Sequence, residues 1–86
     1  MLMVTILYRP DSEHERPVME FQRELAKNQV ITQLVNVDSR DGTALAKLYD
    51  IVRYPGVLLI EQDGRLRQAW SGELPTLSDI SYQAHA

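Results

Sequence analysis

Apolar residues recur along this chain with two periods. Leu2 to Tyr8 (LMVTILY) is a nearly unbroken apolar run stopped by Arg9-Pro10-Asp11, the pattern of a buried strand. From about His14 to Lys27 the spacing changes. Val18, Phe21 and Leu25, with Met19 less regularly placed, mark one helical face, and Glu20, Gln22, Arg23 and Glu24 mark the other, with Asn28 as the stop. Val30 to Val37 (VITQLVNV) returns to β-branched character and ends at the polar cluster Asp38-Ser39-Arg40-Asp41-Gly42, which reads as a loop. Ala44, Leu45, Leu48 and Tyr49 predict a short helix over Thr43 to Tyr49, ending near Asp50.

Two more strand-like runs, Gly56 to Glu61 and Arg65 to Ser71, flank Gln62-Asp63-Gly64. Asp-Gly favours a tight hairpin because both residues tolerate positive φ, so these strands are expected to be antiparallel. On the second of them, Trp70 is expected to share a face with Leu66 and Gln68 and to pack in the core. Pro75 precedes a last helix opened by Thr76, with Asp79 as its capping partner and Leu77, Ile80 and Tyr82 for packing. Gln83 to Ala86 is expected to fray.

The order is βαβ-α-ββα. A helix between the first two strands makes them a parallel, right-handed βαβ pair. Eighty-six residues suffice for one core, so a single domain over 1–86 is expected. At 44% hydrophobic and 24% charged, the composition is that of an ordinary globular protein rather than a disordered, fibrous or membrane one; the α/β class rests on the order of elements. The net charge of -3 and the dispersal of Arg9, Arg16, Arg23, Arg40, Arg53, Arg65 and Arg67 argue against nucleic acid as a partner. Arg65 and Arg67 read as a solvated face.

There is no cysteine, which removes disulfides, thiolate nucleophiles and thiolate metal ligands together. Met1 to Tyr8 has neither a basic leader nor a small-residue cleavage site. No apolar run approaches the ~20 residues that span a bilayer, so no membrane partner and a cytoplasmic location are expected.

Tyr49-Asp50-Ile51-Val52-Arg53-Tyr54-Pro55-Gly56-Val57-Leu58-Leu59 resembles the thioredoxin segment Tyr-Gly-Ile-x-x-x-Pro-Thr-Leu-Leu-Leu with the same spacing. Gly64 at the hairpin and Gly72 at the end of the fourth strand fit that pattern. The resemblance implies a thioredoxin-like fold of glutaredoxin size: a four-stranded mixed sheet flanked by three helices. It also implies a cis bond before Pro55, beside the site where relatives hold extended peptides. Tyr8 to Glu15 looks like the glutaredoxin run Tyr-x-x-Pro-Asp-Cys-x-x-Cys, with Ser12 at the nucleophilic cysteine and Glu15 at the resolving one. A serine hydroxyl without a base and a carboxylate cannot carry out thiol exchange.

Ser12-x-x-Glu15 is instead the sequence of a capping box. In that reading the Ser12 hydroxyl accepts from the Glu15 N–H and the Glu15 carboxylate from the Ser12 N–H. Pro17 conflicts with a helix starting there, since proline is comfortable only in the first turn. A start nearer Pro17, after a loose turn over Glu13 to Arg16, is preferred.

Ser12 and His14 do not form a hydrolytic pair on this reading, because they project in different directions from a helix start. His14 and His85 have no metal-ligand spacing, and Asp38, Asp41 and Asp63 look like turn and cap residues, so neither metal nor cofactor is expected. By resemblance, the binding residues are Tyr54, Pro55, Ser12 and Glu15. The leading expectation is a non-catalytic module that binds a protein or peptide in the groove between the Ser12 loop and Tyr54-Pro55, or self-associates through it. The alternatives are a protein that handles glutathione or another small thiol without its own cysteine, and a structural subunit of a larger assembly.

Overall fold

The computed structural model describes residues 2–85. In chain order the elements are β1 (Leu2–Tyr8), α1 (Glu15–Lys27), β2 (Thr32–Asn36), α2 (Arg40–Leu48), β3 (Gly56–Glu61), β4 (Leu66–Ser71) and α3 (Leu77–His85). The sheet runs β2-β1-β3-β4, with β1 and β2 parallel and both β1/β3 and β3/β4 antiparallel. This is the mixed four-stranded sheet with three helices that the family resemblance implies, built from the elements that the apolar periods predict.

Alternation along β1 divides the core into two layers. Val4 and Ile6 point toward α1 and α3, where they meet Val18, Leu25 and Ile80 together with Val57 and Leu59. Leu7 points to the other side, under α2, where Val35, Val37, Ala46, Ile51 and Leu58 close the second layer. Val57, Leu58 and Leu59 are fully buried, so β3 has no polar face. Its sequence is therefore a continuous apolar run rather than an alternation. Each fully buried Leu or Ile contributes roughly 1.5–3 kcal/mol relative to exposure.

The hairpin forms at Gln62-Asp63-Gly64, with Gly64 at φ +89. The Asp63 carboxylate accepts from the Arg65 N–H at 3.0 Å, and that hydrogen bond, with the Arg65 charge beside it, holds the Asp63 pKa below its ordinary 3.8. The Tyr49 hydroxyl donates to the Gly64 carbonyl at 3.0 Å and ties the hairpin to the end of α2. Arg65 pairs with Glu61 and Asp63, and Arg67 with Glu61, as solvated ion pairs of small energetic value.

Several boundaries differ from the sequence reading. Leu59 pairs with Gln68 but Ile60 with Leu66, a bulge that leaves Arg67 as the extra residue. That bulge turns Leu66 into the α2 layer with Ala69, while Trp70 packs in the α1/α3 layer, so Leu66 does not share the Trp70 face. The ladder of β2 is confined to Thr32–Asn36, inside the expected Val30 to Val37.

Helix α2 begins at Arg40, three residues before the expected Thr43. Ser39 is its N-cap, accepting from the Gly42 N–H at 3.0 Å, and Asp41 lies in the first turn where the helix dipole favours an anion. Gly42 marks close approach here, since a Cβ on it would run into the Asn36 carbonyl. At α3 the expected reciprocal cap is present. The Thr76 N–H donates to Asp79 Oδ2 at 3.0 Å and the Asp79 N–H to Thr76 Oγ1 at 3.1 Å. The helix continues to His85, past the Gln83 at which fraying was expected, and Ala86 lies outside the described residues.

Candidate functional site

The antiparallel pairing of Leu7 with Gly56 brings the chain leaving β1 alongside the chain entering β3. The loop after β1 therefore borders Tyr54-Pro55. The Tyr54–Pro55 peptide bond is cis. Pro55 is buried, and its carbonyl accepts from the Gly72 N–H at 3.0 Å, which fastens this corner to the end of β4. Tyr54 is half-buried, packs on the α2 layer and donates its hydroxyl to the Ile51 carbonyl at 3.4 Å. Its backbone N–H and C=O have no hydrogen-bond partner among the described residues.

On the other side of the corner, three side chains hold the loop after β1 to itself. Ser12 Oγ donates to the Arg9 carbonyl at 2.6 Å, and His14 Nε2 accepts from the Arg9 N–H at 3.0 Å. Glu15 Oε2 accepts from the Asp11 N–H at 3.0 Å, and Asp11 sits in the left-handed region at φ 60. Arg9 is thus fixed through both of its backbone groups. Its guanidinium meets Asp38 at 3.3 Å and lies over the Tyr54 ring, 5.7 Å from the centroid. One side chain therefore joins the loop after β1, the turn after β2 and the corner before β3.

The expected capping box at Ser12 and Glu15 does not form. The N-cap of α1 is His14, with no side-chain capping hydrogen bond, and the helix begins at Glu15. The Glu15 N–H reaches only the Ser12 backbone carbonyl, at 3.2 Å, and the Glu15 carboxylate goes to Asp11 rather than Ser12. Pro17 accounts for this. Starting at Glu15 puts Pro17 third in the helix, where a backbone N–H would have no intrahelical partner in any case. A start at Ser12 would have put the proline beyond the first turn.

Ser12 and His14 both bind the Arg9 backbone and do not bond each other, so no serine–histidine pair exists for hydrolysis. Among the described residues no group of three or more His, Cys, Asp or Glu side chains could hold a metal. The His85 side chain, the distant member of the histidine pair, lies outside the described residues. Only one residue separates Tyr8 from Pro10, against two in the glutaredoxin pattern, so that likeness is in register from Pro10 onward.

Arg9 and Asp38 escaped the sequence reading. They are 29 residues apart, and no local pattern joins them. Behind Tyr54, between α2 and the chain that follows it, lies an open hollow of about 350 Å³ whose wall mixes apolar Val37, Ile51 and Val52 with polar Thr43, Lys47 and Asp50. No described helix is long and apolar enough to cross a membrane.

No protein-family model matches the sequence, and no curated protein sequence matches it. Solved structures do match its fold. Fasciola hepatica thioredoxin superposes with a TM-score of 0.75 at 23% identity, covering 99% of this chain and 81% of that one. The pneumococcal exposed lipoprotein thioredoxin of Streptococcus pneumoniae gives 0.79 at 11% identity, covering 99% and 84%. Oxidised thioredoxin O2 of Arabidopsis thaliana gives 0.73 at 13% identity, covering 99% and 74%. This chain therefore has a thioredoxin-like fold. It has no thiol of its own with which to exchange a disulfide.

Proposed function

We propose that this cysteine-free thioredoxin-like domain is a binding module that takes an extended polypeptide along Tyr54. The observation that carries this reading is the pair of unpartnered backbone groups on Tyr54 at the edge of the corner. An extended chain laid beside Tyr54 supplies one acceptor and one donor, as in strand addition. Arg9, held over the Tyr54 ring and against Asp38, forms the facing wall. The hollow behind Tyr54, with Val37, Ile51 and Val52 on one part of its wall and Thr43, Lys47 and Asp50 on another, offers room to a side chain of the bound peptide. Ser12, His14 and Glu15 serve as supports of that wall rather than as reactive groups.

The test is to select peptides from a random-sequence display library on the intact domain and titrate them into the 15N-labelled protein. Saturable amide shifts centred on Tyr54, Arg9 and Ser12 are expected, and Tyr54→Ala should weaken binding by roughly fivefold or more, the loss of about 1 kcal/mol of aromatic contact. Shifts centred elsewhere, or an affinity unchanged in Tyr54→Ala, would remove this corner as the site. Glutathione titrated in the same way distinguishes a small-thiol protein. Saturation by glutathione at these amides, without peptide binding, would replace the present reading with that one.

A further inference from the structure

The two edges of the sheet are built differently. The β4 edge is broken by the bulge at Arg67 and flanked by Arg65, Asp63 and Glu61 in ion pairs. Bulges and charges are the usual means by which a sheet edge avoids pairing with another strand. The β2 edge has neither. From Asn28 to Val37 the sequence contains no charged residue, no proline and no glycine. Beside it, Ile31 is 48% exposed and Met3 40% exposed, at the mouth of a hollow of about 450 Å³ on the α2 side of the sheet.

The hydrogen bonds to β1 fix which backbone groups of β2 are free. The Val4 N–H donates to the Ile31 carbonyl at 3.0 Å and the Val37 N–H to the Tyr8 carbonyl at 2.9 Å. With Val4 level with Thr32 and Tyr8 level with Asn36, the odd-numbered residues of β2 face β1. Thr32, Leu34 and Asn36 therefore turn their N–H and C=O groups outward. Of these, the Asn36 carbonyl is already taken, by the Ser39 N–H at 3.0 Å and the Ser39 hydroxyl at 2.7 Å.

We propose that β2 is a self-association edge, at which two copies of this chain pair antiparallel about a two-fold axis through Gln33 to make one continuous sheet. In this register Thr32 lies opposite Leu34 of the other copy, and their N–H and C=O groups bond reciprocally in both halves. Asn36 contributes its N–H to the Val30 carbonyl, and the occupied Asn36 carbonyl is not needed. A dyad at Leu34 instead would leave Thr32 N–H facing that occupied carbonyl. On the α2 side, exposed Ile31 comes to lie beside Val35 of the other copy, and the two Gln33 amides face one another. A second copy is the occupant because the edge is complementary to itself in hydrogen bonding, in apolar surface and in its lack of charge. The paired run is short, so the dimer is weak and concentration-dependent.

This inference is independent of the Tyr54 site, which lies beyond the opposite edge of β1. Sedimentation velocity over a concentration series should show reversible dimerisation of the wild type. Thr32→Pro removes an outward N–H from each copy without touching the β1 ladder, and should weaken dimerisation roughly tenfold or more, through two lost hydrogen bonds. Gln33→Lys, at an exposed position, does the same by apposing like charges and covers the case in which the proline variant misfolds. Because the chain has no cysteine, Gln33→Cys places a single thiol against its symmetry mate. A non-hydrogen-bonded antiparallel pair brings Cα atoms to about 4.5 Å, within disulfide range. Mild oxidation should cross-link this variant and leave Gln62→Cys, on the exposed hairpin, monomeric. A wild type that stays monomeric throughout the series, a dimer untouched by both edge variants, or equal cross-linking at 33 and 62 would overturn the proposal.

Discussion

Ser12-Glu13-His14-Glu15 and Thr76-Leu77-Ser78-Asp79 present the same local pattern, a hydroxyl followed three residues later by a carboxylate. Only the second becomes a reciprocal helix cap. In the first, the hydroxyl and the carboxylate both turn back into the preceding loop, to Arg9 and Asp11, and the helix starts at Glu15 with an unassisted N-cap. Pro17 is the difference. It sits five residues after Ser12, whereas no proline follows Thr76, so the first helix is pushed back and its polar residues are released to shape the rim of the candidate site. The start of α2 is a third case, where Ser39 caps and Gly42 allows the helix to press against the Asn36 carbonyl.

The strongest way to break this comparison is at α2. Gly42→Ala forces a side chain into backbone, and chemical denaturation should show a loss of about 2–3 kcal/mol. Next is Thr76→Ala, which removes a working cap and should cost about 1 kcal/mol, a fall of roughly 4–8 °C in Tm for a domain of this size. Smallest is Ser12→Ala. Because Ser12 caps nothing and its hydrogen bond is exposed to water, global stability should change by less than about 0.5 kcal/mol. Amide exchange at Arg9 and nearby residues should nevertheless quicken as the loop loses a tether. Equal losses at Ser12 and Thr76 would mean that both hydroxyls cap in solution.

Most of the fold was legible because strands and helices announced themselves by period. The β1 and β3 runs, the α1 stripe and the Thr76 cap all depend on residues within one or two turns of each other. The start of α2 was not legible. Asp38 to Gly42 has turn composition, and only the contact of Gly42 with Asn36 reveals why a helix of that composition fits. The bulge at Arg67 was hidden for a similar reason, since a two-residue period cannot show where an extra residue is inserted. At the candidate site, Tyr54-Pro55 was visible through family likeness. The Arg9–Asp38–Tyr54 link was not, because it joins three loops that only the folded sheet brings together.

The placement of the single tryptophan has a practical consequence. Trp70 packs with Ile80 and Val18 in one core layer, while Tyr49 and Tyr54 sit against the other. Indole emission excited at the red edge of the absorption band will follow the loosening of the α3 side alone. Tyr8 shares the Trp70 layer and Tyr82 lies exposed on α3, so tyrosine emission mixes both sides and it is the indole that gives ordinary fluorometry a one-sided clock for the opening of the α3 half, without any attached dye.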